Sequence, residues 1–337
     1  MSPGAEMTRE LRLDAIRHEA EDKGRVAMPG LRPAGSPMPI ASPETGYYRQ
    51  PILKEPQWTP LIPFYFFVGG AAGSLGVIGS LADLVGNERE LARTARWMAL
   101  GGAALSGMLL VIDLGRPSRF LNMLRVFKPQ STMSMGSWIL SGFSASASMS
   151  SLADVLRACG SNGLFARVAS AAGRSGSVLF GMPFHNYTGV LLGATSIPVW
   201  NSHVRSLPRE FGMSGLQAAV CVLELAGYER RNSLNVLGLL SAGAESAESV
   251  AAIGKKKELS RPLKRGRTGL MVTAGAVLSG PIPVALRVAS LFAGEKQRRS
   301  LRKMAAWSGI LGSICFRYGW VQAGAVSARD WRLPLEI

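Results

Sequence analysis

From Leu61 onward the chain alternates long apolar runs with short polar connections, most of them basic. The run LIPFYFFVGGAAGSLGVIGSLADLV, opening at Leu61, holds Asp83 as its only charge in 25 residues. About 20 apolar residues suffice to cross a bilayer core, so this run predicts a first transmembrane helix. WMALGGAALSGMLLVI, from Trp97 and closed by Asp113, predicts a second, and the serine-rich MGSWILSGFSASASMSSLADVL, from Met135, a third packed among other helices. SVLFGMPFHNYTGVLLGATSIPVW, Ser177 to Trp200, is the fourth. FGMSGLQAAVCVLELAGY, with Glu224, and SLNVLGLLSAGAESAESVAAI, with Glu245 and Glu248, are weaker and read as buried helices of the same bundle. TGLMVTAGAVLSGPIPVALRVASLF, interrupted at Gly280 to Pro283, is the seventh, and MAAWSGILGSICFRYGWVQAGAV the eighth.

This pattern divides the chain into a polar, proline-rich tail over 1–57, expected to be disordered, a transmembrane domain over 58–325 and a short tail over 326–337. The N-terminal stretch has no apolar core of the signal-peptide kind. Eight spans put both termini on one side; the basic cluster Lys255 to Arg267 favours a cytoplasmic N-terminus. Glycines and serines recur at close spacing, as Gly69, Gly70, Gly73 and Gly76 do in the first span, which lets helix backbones approach.

After the second span comes DLGRPSRFLNMLRVFKP. Phe120, Met123, Leu124 and Phe127 fall on one face of a helix, and Ser118, Arg119, Asn122, Arg125 and Lys128 on the other. That predicts an amphipathic interfacial helix beginning at Pro117. Asp113 and Arg116, three apart, are placed to pair if the second helix continues one more turn. Two uses of the stretch stay open on periodicity alone: an anchor whose arginines reach lipid headgroups, or a pocket wall in which Arg116 holds an anionic or carbonyl-bearing amphiphile and Asp113 exchanges protons.

Composition narrows the chemistry. The net charge of +16 is spread over clusters between apolar runs, and no zinc-finger spacing or RNA-binding aromatic motif accompanies it, so no nucleic-acid partner is expected. Cys159, Cys221 and Cys315 stand alone and do not make the four thiolates of an iron–sulfur cluster. His185 and His203 would lie about 27 Å apart on one helix, so no haem of this chain's own is expected either. In PFHNYTG the imidazole of His185 and the phenol of Tyr187 are groups that donate hydrogen bonds to quinone carbonyls. Glu224, Glu245, Glu248, Arg287 and Arg317, charged residues within apolar runs, suit buried ion pairs first and a proton path second.

The stretches YYRQPILKEPQWTPLIPFYFFVGGAAG (Tyr47 to Gly73), LLVIDLGRPSRFLNMLRVFKPQSTMSMGSWIL (Leu109 to Leu140) and YTGVLLGATSIPVW (Tyr187 to Trp200) resemble membrane subunits of the NrfD/PsrC type, the polysulfide-reductase NrfD family. The resemblance extends from about Gly46 to the C-terminus and implies an all-α, polytopic integral membrane protein of eight helices in two four-helix bundles. It also implies a non-autonomous subunit of a quinone-linked oxidoreductase, of polysulfide reductase, formate dehydrogenase or related type, in the bacterial inner membrane and anaerobic respiration. Such a subunit exchanges electrons between menaquinone or ubiquinone and a ferredoxin-like 4Fe–4S subunit, which serves a molybdopterin or multihaem cytochrome subunit. Carried over by position, the family pattern points to Asp113, Arg116 and Arg119 in the loop and Tyr187 in the fourth span; His185 has no fixed counterpart. The departures are the long tail and the acidic sixth span. Two other classes remain: a transporter or ion-conducting subunit, suggested by the broken seventh span, and a purely structural anchor.

Overall fold

The computed structural model describes residue 15 and residues 51–85, 88–115, 117–255, 259–330 and 333; among them there is helix and no strand. In chain order these are α1 (Leu61–Val85), α2 (Arg89–Asp113), a 3-10 segment (Pro117–Leu124), α3 (Thr132–Ala158), α4 (Leu164–Gly193) and the short α5 (Pro198–Asn201). Next come α6 (Leu207–Leu223) with a π turn (Glu224–Tyr228), α7 (Asn232–Lys255), the short α8 (Arg261–Lys264), α9 (Gly266–Ser279), α10 (Pro281–Leu291) and α11 (Glu295–Arg329).

Helix α1 is the hub. It packs against α2, α4 and α6, while α3 closes on α2 and α4; α6 continues to α7 and α11, and α11 holds α9 and α10. Close approach depends on missing side chains. A Cβ on Gly73 would stand 2.8 Å from the Gly181 carbonyl oxygen, and one on Gly181 would stand 2.8 Å from that of Gly73, so α1 and α4 touch through backbone. The π turn contains Gly227 at φ +109°, a conformation that glycine adopts without steric cost. Between α9 and α10 the helix breaks at Gly280, where Pro281 cannot donate the next backbone hydrogen bond.

Among the described residues, large apolar side chains stand on the outside and several charged ones lie inside, beside an apolar core. Leu84, Met108, Leu121, Leu179, Leu240, Leu270 and Phe292 face outward, whereas Arg287, Arg302, Arg317, Glu210, Glu224 and Glu245 are buried. An apolar exterior around polar contacts suits helices whose solvent is lipid. Among the described residues, four helices are long and apolar enough to cross a membrane by length and composition: Leu61–Leu84, Arg89–Asp113, Leu207–Tyr228 and Gly266–Leu291. The serines of α3, Arg167 and Arg174 of α4, Glu245 and Glu248 of α7, and the basic first turns of α11 dilute the other long helices.

Three details differ from the sequence expectation. The fourth run starts its helix at Leu164, not Ser177, and ends it at Gly193, after which Pro198 opens α5. The charge that hid the early start is neutralised internally, since Arg174 donates to Asp83 at 2.7 Å. The stretch just ahead of α1 is laid onto the helices: Leu53 and Trp58 pack against the core, and Arg329 binds Glu55 at 2.6 and 2.9 Å. The rest of the expected tail, apart from residue 15, lies outside the described residues.

Candidate functional site

At the end of the molecule where α1 and α3 begin and α2 and α4 finish, the helices part around a cavity of about 140 Å³. Its walls are mostly apolar: Ile62 and Phe66 of α1, Leu110 of α2, Leu140 of α3 and Leu191 of α4. Phe120 and Met123 close one side; three residues apart, they eclipse on one face of the 3-10 segment. The wall is pinned from the next helix. Ser134 donates its hydroxyl to the Val126 carbonyl at 3.1 Å and accepts from the Lys128 backbone N–H at 3.0 Å, while Ser131 caps α3.

Few polar groups enter this apolar space. The Asp113 carboxylate, on the last residue of α2, accepts a hydrogen bond from the Thr59 hydroxyl. The Tyr187 hydroxyl is buried against the Gly136 backbone and has no well-formed hydrogen bond among the described residues. An unmade bond on a buried hydroxyl costs about 1–3 kcal/mol, a cost that a carbonyl-bearing ligand would remove. Gly136 is what lets the phenol reach the cavity, because a Cβ there would stand 2.6 Å from Tyr187 Cζ and 2.7 Å from its Oη. Tyr65 and Trp58 complete the rim; the Trp58 ring stacks on Trp200 at 5.0 Å and meets Phe66 edge-on at 5.9 Å. Trp200 is itself fixed by a 2.8 Å bond from its Nε1 to the Trp320 carbonyl, so the rim ring rests on a rigid base.

Of the residues singled out from sequence, Asp113 and Tyr187 line this one cavity. His185 does not. Its Nδ1 lies 3.3 Å from the Gly181 carbonyl, and its ring packs where a Cβ on Gly212 would come within 3.1 Å of Nε2, so it sits between α4 and α6. Two residues along a helix are turned about 200° apart, so His185 and Tyr187 face different neighbours. Arg116 lies outside the described residues, and Arg119 is placed only by its backbone in the 3-10 segment. The expected amphipathic helix is also shorter and tighter. It is 3-10 over Pro117–Leu124, and Phe127 leaves its face to pack edge-on against Trp138 at 5.9 Å. Lys128 precedes Pro129, which disfavours helical backbone there, and Ser134 holds the released chain end.

The charges of the later helices serve mainly as internal ties. Arg287 donates to both oxygens of Glu224 at 2.6 and 2.7 Å, with both side chains fully buried. Glu245 accepts from Ser279 at 2.8 Å, and Glu248 pairs with Arg209 at 2.8 Å. Arg317 bonds Ser214 at 2.7 Å, Ser313 and the Phe211 carbonyl at 3.2 Å, and lies over the Phe211 ring. Outside the apolar segments, burial pushes the Glu229 carboxyl up. Arg299 at 2.7 Å, its own backbone N–H and Lys303 outweigh that and hold it below the ordinary carboxylate range.

Sequence reasoning missed Trp58, Thr59, Tyr65 and Gly136. Trp58, Thr59 and Tyr65 stand in the quoted stretch around the start of the first span, and Gly136 in the MSMGSW segment, so the signal was present without an indication of what each approaches. Among the described residues no group of three or more His, Cys, Asp or Glu side chains is arranged to hold a metal ion.

Comparison with curated protein sequences gives no significant match. Residues 53–328 match the family described as polysulphide reductase, NrfD. The matched range takes in every long helix among the described residues but for the last residue of α11, and every described wall of the cavity, and the chain therefore belongs to the NrfD family, whose members are membrane subunits of quinone-linked oxidoreductases.

Proposed function

We propose that this chain is a quinone-binding membrane subunit that passes electrons between the membrane quinone pool and an iron–sulfur partner, and that the cavity at Asp113 and Tyr187 takes the quinone head. The observation that carries the reading is the buried Tyr187 hydroxyl, with no well-formed hydrogen bond among the described residues, in a mostly apolar cavity whose charged edge is the Asp113 carboxylate. A quinone has the matching form: a flat apolar ring with two carbonyl acceptors. When bound it supplies a two-electron, two-proton couple.

The residues have separable roles. Tyr187 donates a hydrogen bond and, held by Gly136, fixes where one carbonyl oxygen sits. Asp113 exchanges a proton at its carboxylate, and Thr59, donating to that carboxylate, orients it at the water-facing edge. Phe120, Met123 and Leu140 exclude water from the ring. Three lone cysteines do not ligate a four-iron cluster, so electrons enter from a ferredoxin-like partner docked near this end, itself serving a molybdopterin or cytochrome subunit. In the same reading α1, α2, α3, α4, α6, α7, the α9–α10 pair and α11 are eight crossings of a bacterial inner membrane, grouped as α1–α4 and α6–α11. The close packing of α1 with α2 and α4, of α3 with α4 and of α9 and α10 with α11 supports that grouping, with α6 joining the two groups through α1 and α4.

The test is quinol-linked electron transfer by the purified complex with Asp113→Asn and Tyr187→Phe. Each should lose about tenfold or more, the size of one hydrogen bond or one proton carrier. Normal rates in both variants would sink the assignment of this cavity.

A further inference from the structure

The opposite end of the same four helices carries a second opening of different character, a polar cleft of about 650 Å³. It lies where α1 and α3 end and α2 begins, with Arg174 of α4 on its wall. Five guanidiniums and two carboxylates line it, an excess of three positive charges.

The carboxylates are already engaged. Arg96, buried, clasps Asp154 with two bonds of 2.9 and 2.8 Å, and Arg174 donates to Asp83 at 2.7 Å. Arg157 approaches Asp154 only to 3.8 Å. Arg89 and Arg93 are exposed and, among the described residues, form no ion pair. Arg89, Arg93 and Arg96 recur at i, i+4 and i+7, one face of α2, where like charges repel unless an anion lies between them. The Arg96–Asp154 and Arg174–Asp83 pairs make a rigid floor, and above it Arg89, Arg93 and Arg157, the last held by Asp154 only at 3.8 Å, are forks shaped for phosphate oxygens.

Apolar side chains stand next to the charged ones. Leu84 follows Asp83, and Leu152 and Val155 flank Asp154; all three are exposed. A ligand seated here meets cations at its head and an apolar helix surface beside it. At the end of a membrane-embedded helix group that is the place of a lipid headgroup.

We propose that this cleft binds the phosphate of an anionic membrane phospholipid, with Arg89, Arg93 and Arg157 as the phosphate ligands. The site is distinct from the quinone cavity and does not depend on that assignment.

The experiment is native mass spectrometry of the full-length chain purified in detergent, titrated with phosphatidylglycerol or with phosphatidylcholine of matched acyl chains. Phosphatidylglycerol should bind preferentially. A surface arginine contributes about fivefold to attraction of an anionic lipid, so the double variant Arg89→Gln/Arg93→Gln should weaken binding about thirtyfold. Arg89→Lys/Arg93→Lys, which keeps the charge but not the fork, should recover part of it. Equal binding of the two lipids, or an unchanged affinity in the double glutamine variant, would overturn the proposal. So would full displacement by millimolar inorganic phosphate, which would make this a soluble-anion site, or protection of the arginines by an acidic partner chain but not by phosphatidylglycerol.

Discussion

The cavity makes a sharp demand of one residue with no chemistry of its own. Replacing Gly136 by alanine adds a single methyl in the interior of α3, where helix propensity alone would favour it by about 1 kcal/mol. The tertiary contact opposes the change. The added carbon would lie 2.6 Å from Tyr187 Cζ and 2.7 Å from Oη, about 1 Å short of the ~3.5 Å at which carbon atoms rest. Both α3 and α4 are held by neighbours on their other faces, so the ring must yield, swinging by about 1 Å. Overpacking of this kind costs about 1–3 kcal/mol, and a displaced hydroxyl forfeits the hydrogen bond it would make, worth about tenfold. Gly136→Ala is therefore expected to assemble and unfold within a few kcal/mol of wild type while quinol-linked turnover falls by about tenfold, as in Tyr187→Phe. Gly107→Ala serves as its control, since a Cβ on Gly107 of α2 meets nothing within 4 Å; it should leave turnover unchanged. Steady-state quinol oxidation by the purified complex, with quinone affinity measured alongside, reads both. Wild-type turnover and affinity in a folded Gly136→Ala protein would refute the placement of Tyr187 as the group that fixes the head.

The remaining expectations concern the scaffold. Ser134→Ala releases the end of the 3-10 wall and removes two bonds of about 1 kcal/mol each, so quinone affinity should weaken by tenfold or more in a direct binding titration. Glu224→Gln strands a fully buried guanidinium and should destabilise by about 3–5 kcal/mol in detergent unfolding, whereas Glu224→Leu/Arg287→Met should recover most of that. Glu229, held below the ordinary carboxylate range by Arg299, contributes stability above the unfolded carboxylate pKa that is lost as pH falls through its lower folded value. Glu229→Gln should accordingly lower the melting temperature at pH 7, and its gap to wild type should close below about pH 4; a gap independent of pH would contradict the ion pair.

Much of this architecture is legible in the sequence, because the length and polarity of an apolar run fix a helix before any partner is known. The exception in α4 is instructive. Its first turns carry Arg167 and Arg174, which read as loop, yet Arg174 reaches Asp83 across the helix pair and the charge becomes internal. Asp113 could be singled out because a carboxylate that closes an oily run is conspicuous, and Tyr187 because a phenol in an apolar span is. Thr59 and Gly136 could not, since their meaning lies in what approaches them from elsewhere in the chain. Nor does periodicity tell His185 from Tyr187 until the rotation of α4 against α6 is known, which the glycine at 212 helps to set.

The two openings divide the labour of the first four helices along α2. Arg96 and Asp113 are seventeen positions apart on one helix, or about 26 Å at its ordinary rise, close to the thickness of a hydrocarbon core. One end is thus a charged cleft whose carboxylates are consumed by arginines, and the other an apolar cavity whose phenol has no well-formed hydrogen bond among the described residues. The asymmetry has a physical reason. Under the proposed assignment, a cavity that takes a quinone has to be uncharged enough for the ring to leave lipid without loss, and it still needs one group that exchanges protons with water. Asp113, half-buried at the last turn of α2 and tied to Thr59, sits where both conditions meet. Deeper in the bundle a lone carboxylate would carry a desolvation cost of several kcal/mol; beyond the helix end it would lose contact with the ring.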